Sequence, residues 1–238
     1  MSGSIVTPEL RTRVRGLAEP IARGFGRLGL TPNHLTLIGF AIAIVAAWAA
    51  ASQAWLAAGV LVLVGGVFDL FDGALARATG TASRFGAFMD SVFDRWGEGV
   101  VYVGIGWGCA AVGFSEGAVL AAAAMASAFM VSYARARGES LGFPSGGGLA
   151  NVGLAPREVR IVILALGLIA LGALGGIEMA CGPMFPCPAL LDRRDGSILL
   201  VLALALITIL ATITTIQRIL HVRAQAQAQS TSNDIPTT

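Results

Sequence analysis

The chain has 238 residues, of which 55% are hydrophobic and only 13% charged, about half the charged share of a soluble domain. Together with a mean hydropathy of +0.77 and a net charge of +2, this excludes a soluble enzyme, a disordered tail protein and a nucleic-acid binder. A polytopic membrane protein remains, with room for about six spans of roughly 20 residues each and for no separate soluble domain.

Residues 8–28 read as an amphipathic helix lying on the membrane surface. Pro8 suits the first helical position and Thr7 the cap before it. Leu10, Val14, Leu17, Ile21, Phe25 and Leu28 recur at spacings of three and four, forming one apolar stripe with arginines around it. Pro20 is a point where such a helix can kink. The charged leader is too long for a secretory signal.

Apolar segments follow at about 34–53, 55–78, 87–111, 117–136, 160–180 and 197–219, each long enough to span a bilayer as a helix. No alternating pattern or hairpin turn competes, and lipid-facing irregular backbone would leave polar groups unpaired. The expected fold is therefore all-α, with six transmembrane helices after the interfacial one. All sixteen cations are arginine. With both termini in the cytoplasm, fourteen of them fall inside and only Arg193 and Arg194 outside, which sets the orientation.

The expected organisation is a cytoplasmic segment over 1–33, a six-helix membrane domain over 34–220 and a polar, disordered tail over 221–238. Residues 176–195 become an outside loop. It carries Cys181 and Cys187, where a disulfide is permitted and two free thiols are the default. With Cys109, the three cysteines lack any metal-ligand spacing. Small residues at Ala121, Ala122 and Ala124 allow close helix packing and a homodimer.

The chemistry concentrates in 26 residues. Asp69 and Asp72 are three apart, and Asp90 and Asp94 four apart, so each pair shares a helix face. The short turn between them, with Gly80 and Gly86, predicts antiparallel neighbouring helices and four carboxylates converging near the cytoplasmic side. A carboxylate at mid-membrane depth costs about 2.5–3.5 kcal/mol and is functional by default. Four together repel one another. A divalent cation relieves both problems, and an all-oxygen set without His or Cys favours Mg²⁺ or Mn²⁺ over zinc. Gly73, Ala74, Ala76 and Gly86 leave room for a bulky group near the helix backbones, and Arg77, one turn beyond Asp72, suits a phosphate.

The pattern D-x-x-D-G-x-x-A-R-x8-G-x-x-x-D-x-x-x-D, complete from Asp69 to Asp94, resembles the signature of the CDP-alcohol phosphotransferase family, also called the CDP-alcohol phosphatidyltransferase family. The entry to the first span, Thr31-Pro32-Asn33-His34-Leu35-Thr36, is similar to that family as well. The resemblance implies transfer of a phosphatidyl group from CDP-diacylglycerol to an alcohol, with release of CMP. It implies that Asp69, Asp72, Asp90 and Asp94 hold two metal ions and that Asp94 is the general base. It further implies that Thr36, Asp69, Gly73, Ala76, Arg77, Ser83 and Gly86 line the cytidine-diphosphate site, in a multi-pass protein of the cell membrane with its active site facing the cytoplasm, and that the enzyme is a homodimer.

Arg135, Arg160 and Arg218 come from three different spans at one depth. Guanidinium groups converging there would bind a phosphate monoester, although flanking charge of the positive-inside kind accounts for many arginines at such places. The pattern is similar to that of bacterial phosphatidylinositol phosphate synthases, in which a Lys and two Arg hold the phosphate of inositol phosphate. It departs from them in having Arg135 for a common Lys, Glu158-Val159 for a common Pro-Glu, and a Gly-rich loop over 143–151. The resemblance implies inositol 1-phosphate as acceptor, giving phosphatidylinositol phosphate. The rival acceptor is glycerol 3-phosphate, giving phosphatidylglycerol phosphate. Two other classes fit less well. An intramembrane prenyltransferase carries its Asp motifs far apart in sequence, and a divalent-cation transporter has no use for Asp72-Gly73 and Ala76-Arg77.

Overall fold

The structure is a computed structural model that describes residues 8–143, 153–177 and 196–233. Seven helices and no strands occur among them: α1 (Pro8–Arg27), α2 (Pro32–Ala51), α3 (Trp55–Thr79), α4 (Arg84–Ala111), α5 (Ser115–Ser140), α6 (Arg157–Ala173) and α7 (Gly196–Asn233). The six apolar segments correspond in order to α2–α7, and the amphipathic segment to α1. Thr7, Cys181, Cys187, Arg193, Arg194 and most of the Gly-rich loop lie outside the described residues, as do the side chains of Leu10, Val14 and Leu17.

Local sequence sets the helix ends. Thr31 caps α2: its hydroxyl accepts from the His34 N–H, while His34 Nδ1 accepts from the Thr31 N–H, each at 3.3 Å. Pro32 then occupies a first-turn position where no N–H is needed. Gly80 ends α3 in the left-handed region at φ 65°, where a side chain would be strained. Ser83 opens α4 by accepting from the Gly86 N–H at 3.0 Å. At the other end of the chain α7 continues to Asn233, through residues expected to form a disordered tail. The stretch after Arg223 is alternating Ala and Gln without Gly or Pro, and both residues propagate a helix readily.

Helices α2–α7 close into a ring in the order α2–α3–α6–α7–α5–α4, each packed on two neighbours, with α1 laid against α3. This corrects the expectation that α3 and α4 are neighbours. They scarcely touch, because α2 is wedged between them. The wedge works because α4 brings glycine to the contact: a Cβ on Gly104 would strike the Ala47 carbonyl, and one on Gly108 the Ala50 carbonyl. The ring encloses a core that includes Trp55, Tyr102, Ile105, Leu168, Leu204 and Ile207. Ala121 and Ala124 are buried inside it and serve packing within the chain, whereas Ala122 is exposed on the outer side of α5.

Outward-facing positions are apolar. Leu37, Ile44, Trp48, Trp107, Leu202 and Ile209 are exposed, the two tryptophans by about 70%, and a soluble monomer would not carry such a belt. Four helices, α2, α3, α5 and α7, are long and apolar enough to cross a membrane. The other two differ for visible reasons: α4 carries Arg84, Asp90, Asp94, Arg95 and Glu98, and α6 has 17 residues.

On α1, the face that meets α3 is Ala22, Phe25 and Gly26. Ala22 is fully buried, and Phe25 packs against Phe68 and Phe71 with ring centres 5.9 and 5.6 Å away. Ile21 and Leu28 of the predicted stripe stay exposed. The apolar surface of α1 thus divides between α3 and the surroundings.

Candidate functional site

The carboxylates of α3 and α4 border two spaces beside the first turns of α2. The larger is a cleft of about 480 Å³ at the α1–α2 junction. Asp72 and Asp90 line it, together with Thr36, Gly73, Ala76, Arg77, Ser83 and Gly86. With the exception of Asp69, every residue assigned to a cytidine-diphosphate site is therefore on one wall or another of a single cleft. Asn33 and Thr31, from the entry to the first apolar segment, also line it, as does Thr81, which carries no sequence signal of its own.

The glycines in this cleft have a spatial reason. The Arg77 guanidinium folds back over Gly73, so a Cβ there would stand 3.2 Å from Nη1. Gly86 lies between Ser83 Oγ and Asn33 Oδ1, at 3.1 and 3.4 Å from its Cβ position. Asp72 is held in place: it is 5% exposed, its Oδ2 accepts from the Thr36 hydroxyl at 2.8 Å, and its Oδ1 accepts from the Gly73 N–H at 2.5 Å.

The smaller space is a cavity of about 50 Å³ enclosed by α2, α3, α4 and α6. Asp69 and Asp94 face it, as do Glu98, Tyr102, Arg157 and Arg160; Thr36 borders both spaces. Gly39 of α2 makes room for Asp69, whose Oδ1 lies 3.2 Å from the Cβ position of that glycine. Arg157 Nη1 stands between the two aspartates, 2.6 Å from Asp69 Oδ2 and 3.0 Å from Asp94 Oδ1. Arg95 approaches the other oxygen of Asp94 at 3.4 Å.

The quartet is thus brought together electrostatically, with each of Asp72, Asp90 and Asp94 within reach of the charge of at least two of the others. It does not form a closed coordination cage: among the described residues no three acidic, His or Cys side chains stand ready to hold one ion. The donor chemistry nevertheless fits a hard divalent cation. The groups are all oxygens, and Asp69 and Asp94 already converge on one positively charged nitrogen.

The three arginines assigned to an acceptor phosphate occupy different settings. Arg160 is 1% exposed and forks Glu98 through Nε and Nη2, both at 2.9 Å, while its Nη1 donates to the Ala155 carbonyl at 3.0 Å. Arg218 is buried and donates to the Val131 carbonyl at 2.5 Å. Arg135 is exposed and pairs with Glu139 one turn on, at 2.9 Å. Arg135 and Arg160 are close enough for their charges to act on Arg218.

Sequence reasoning left open whether Arg157 touches substrate or only faces headgroups, and passed over Glu98. Both had a signal. Glu98 continues the Asp90, Asp94 series at the same four-residue step, and Arg157 precedes Arg160 by three, on one face of α6.

Comparison with known proteins identifies the family. Residues 29–222 match the sequence profile of the CDP-alcohol phosphatidyltransferase family. The chain is 38% identical over 156 residues to an archaetidylinositol phosphate synthase of Pyrococcus horikoshii, covering 66% of this chain and 78% of that protein. It is 32% identical over 224 residues to the phosphatidylinositol phosphate synthase of Mycolicibacterium smegmatis, covering 89% and 86%. The fold is similar to crystal structures of Mycobacterium tuberculosis phosphatidylinositol phosphate synthase, with a TM-score of 0.68 and 27% identity for each of two. The form with CDP-DAG bound matches over 86% of this chain and 92% of that one, and the complex with manganese and citrate over 86% and 88%. The aspartate signature on α3 and α4, the cleft it borders and the profile match over most of the chain lead to one assignment: the chain belongs to the CDP-alcohol phosphatidyltransferase family and is a phosphotransferase.

Proposed function

We propose that this enzyme transfers the phosphatidyl group of CDP-diacylglycerol to inositol 1-phosphate, releasing CMP and forming phosphatidylinositol phosphate. The observation that carries this reading is the single cleft in which Thr36, Asp72, Gly73, Ala76, Arg77, Ser83, Gly86 and Asp90 meet. It has the size and donor set for a nucleoside diphosphate. The names of the relatives in Mycolicibacterium and Pyrococcus support an inositol phosphate acceptor.

In this reading Asp69, Asp72, Asp90 and Asp94 hold divalent cations, Mg²⁺ or Mn²⁺, and the manganese complex of the mycobacterial structure supports that choice. Such ions neutralise a pyrophosphate and stabilise charge on departing CMP. The remaining work belongs to the protein. Thr36 orients Asp72. Arg77, lying over Gly73, pairs with a phosphate of the donor. Asp94 accepts the acceptor's hydroxyl proton as that oxygen attacks phosphorus. Arg135, Arg160 and Arg218 supply the positive field for the acceptor's phosphate, with Arg135 the most accessible of the three. The same reading places all of α2–α7 across the membrane, with both termini and the cleft on the cytoplasmic side, following the distribution of arginine.

The test is CMP release by the purified protein given CDP-diacylglycerol and Mg²⁺ with inositol 1-phosphate, glycerol 3-phosphate, inositol or serine. The expected result is release with inositol 1-phosphate well above the other three. Preference for glycerol 3-phosphate moves the assignment to phosphatidylglycerol phosphate synthesis, and preference for free inositol or serine removes the phosphate pocket from it.

A further inference from the structure

Arg157 has no part in the roles assigned above, yet it occupies their centre. Its Nη1 lies 2.6 Å from Asp69 Oδ2 and 3.0 Å from Asp94 Oδ1. A divalent cation on the same two oxygens would sit about 2.0–2.6 Å from each, in the space that this nitrogen fills. The guanidinium and the metal therefore exclude one another. We propose that Arg157 is an internal counter-ion that competes with the divalent cation for Asp69 and Asp94, so that metal loading requires its guanidinium to withdraw. This rests on the metal reading of the quartet given above.

Two arginines one turn apart are held in opposite ways. Arg160 forks its carboxylate with two nitrogens and spends a third on a carbonyl, a fixed planar grip. Arg157 uses one nitrogen for both carboxylates, end-on, and its Nε is buried without a partner. Such a contact is released more readily than a fork.

The backbone that carries Arg157 does not depend on it. The N–H groups of Leu154 and Ala155 both donate to Thr214 Oγ1 of α7 at 3.0 Å, and Arg160 ties the first turn of α6 to Glu98 of α4. The side chain can swing while its helix stays. The gain is electrostatic: a cationic side chain between Asp69 and Asp94 offsets the repulsion of carboxylates gathered in a membrane protein, and yields them when a cation of higher charge arrives.

The experiment is Mn²⁺ binding, read by electron paramagnetic resonance on the full chain in lipid nanodiscs, for the native protein, Arg157→Gln and Arg157→Lys. Arg157→Gln is expected to bind Mn²⁺ about tenfold more tightly, a difference of about 1.4 kcal/mol. Arg157→Lys, which keeps the charge but whose shorter side chain cannot bridge both oxygens, is expected to fall between the two. Affinity in Arg157→Gln equal to or below the native value overturns the proposal. If that variant does not fold, native affinity in Arg157→Lys overturns it. A Mn²⁺-loaded structure with Nη1 still between Asp69 and Asp94 overturns it as well. Absence of Mn²⁺ binding in every form takes down the metal reading too, whereas native binding unchanged by either variant removes only the role of Arg157.

Discussion

Thr36 joins the two spaces of the site through one hydroxyl. That group donates to Asp72 Oδ2 at 2.8 Å and lies 3.2 Å from the Pro32 carbonyl. Thr36→Val keeps the shape and removes the bond, which leaves Asp72 with only its own helix to orient it. The expected loss is about 1 kcal/mol of positioning, or about fivefold in kcat/KM for CMP release, with little change in thermal stability. Asp94→Asn removes the proposed proton acceptor without changing volume. A fall in kcat of at least about 10²-fold, with CDP-diacylglycerol binding retained, is expected in single-turnover assays. The aspartates could be read from the chain because acidic residues are rare in apolar sequence and their spacing alone puts them on helix faces. The spacing of Arg157 from Arg160 did not decide its role, because an arginine flanking an apolar segment has an ordinary explanation in membrane orientation. Its partners lie 88 and 63 residues back in sequence.

Between elements, the bond of greatest consequence is that between α4 and α6. Glu98 and Arg160 are both nearly inaccessible, at 4% and 1% side-chain exposure, and the pair fixes where α6 begins. Glu98→Ala leaves a buried guanidinium without its counter-charge, an effect of about 3–5 kcal/mol that a large drop in melting temperature in detergent would record. Changing both residues to apolar side chains of similar volume should recover most of that loss, because the cost lies in the orphaned charge. Helix identities and most boundaries followed from hydropathy, caps and glycine. Adjacency did not. The insertion of α2 between α3 and α4 depends on Gly104 and Gly108 meeting the backbone of α2, and a glycine in an apolar run does not announce which helix it will meet.

For the molecule as a whole, the ring makes distant packing and the site one system. Gly104→Leu lies well along α4 from the aspartates, yet its side chain would strike Ala47 and force α2 and α4 apart. Because α2 also carries Thr36, the expected outcome is loss of both thermal stability and CMP release. A variant that kept full activity would show that the site end is insulated from the rest of the bundle.

The position of the α1–α2 junction has a consequence for traffic. Gly26, Leu30 and Pro32 line part of the cleft, so it is a notch bounded by the helix expected to rest on the membrane surface. A donor anchored by its own hydrocarbon tails would arrive there by lateral drift and never be lifted into water. Its supply would then be a matter of crowding in two dimensions: the rate would follow the mole fraction of donor among the surrounding lipids, and diluting the vesicles at fixed acceptor concentration would leave the rate per enzyme unchanged.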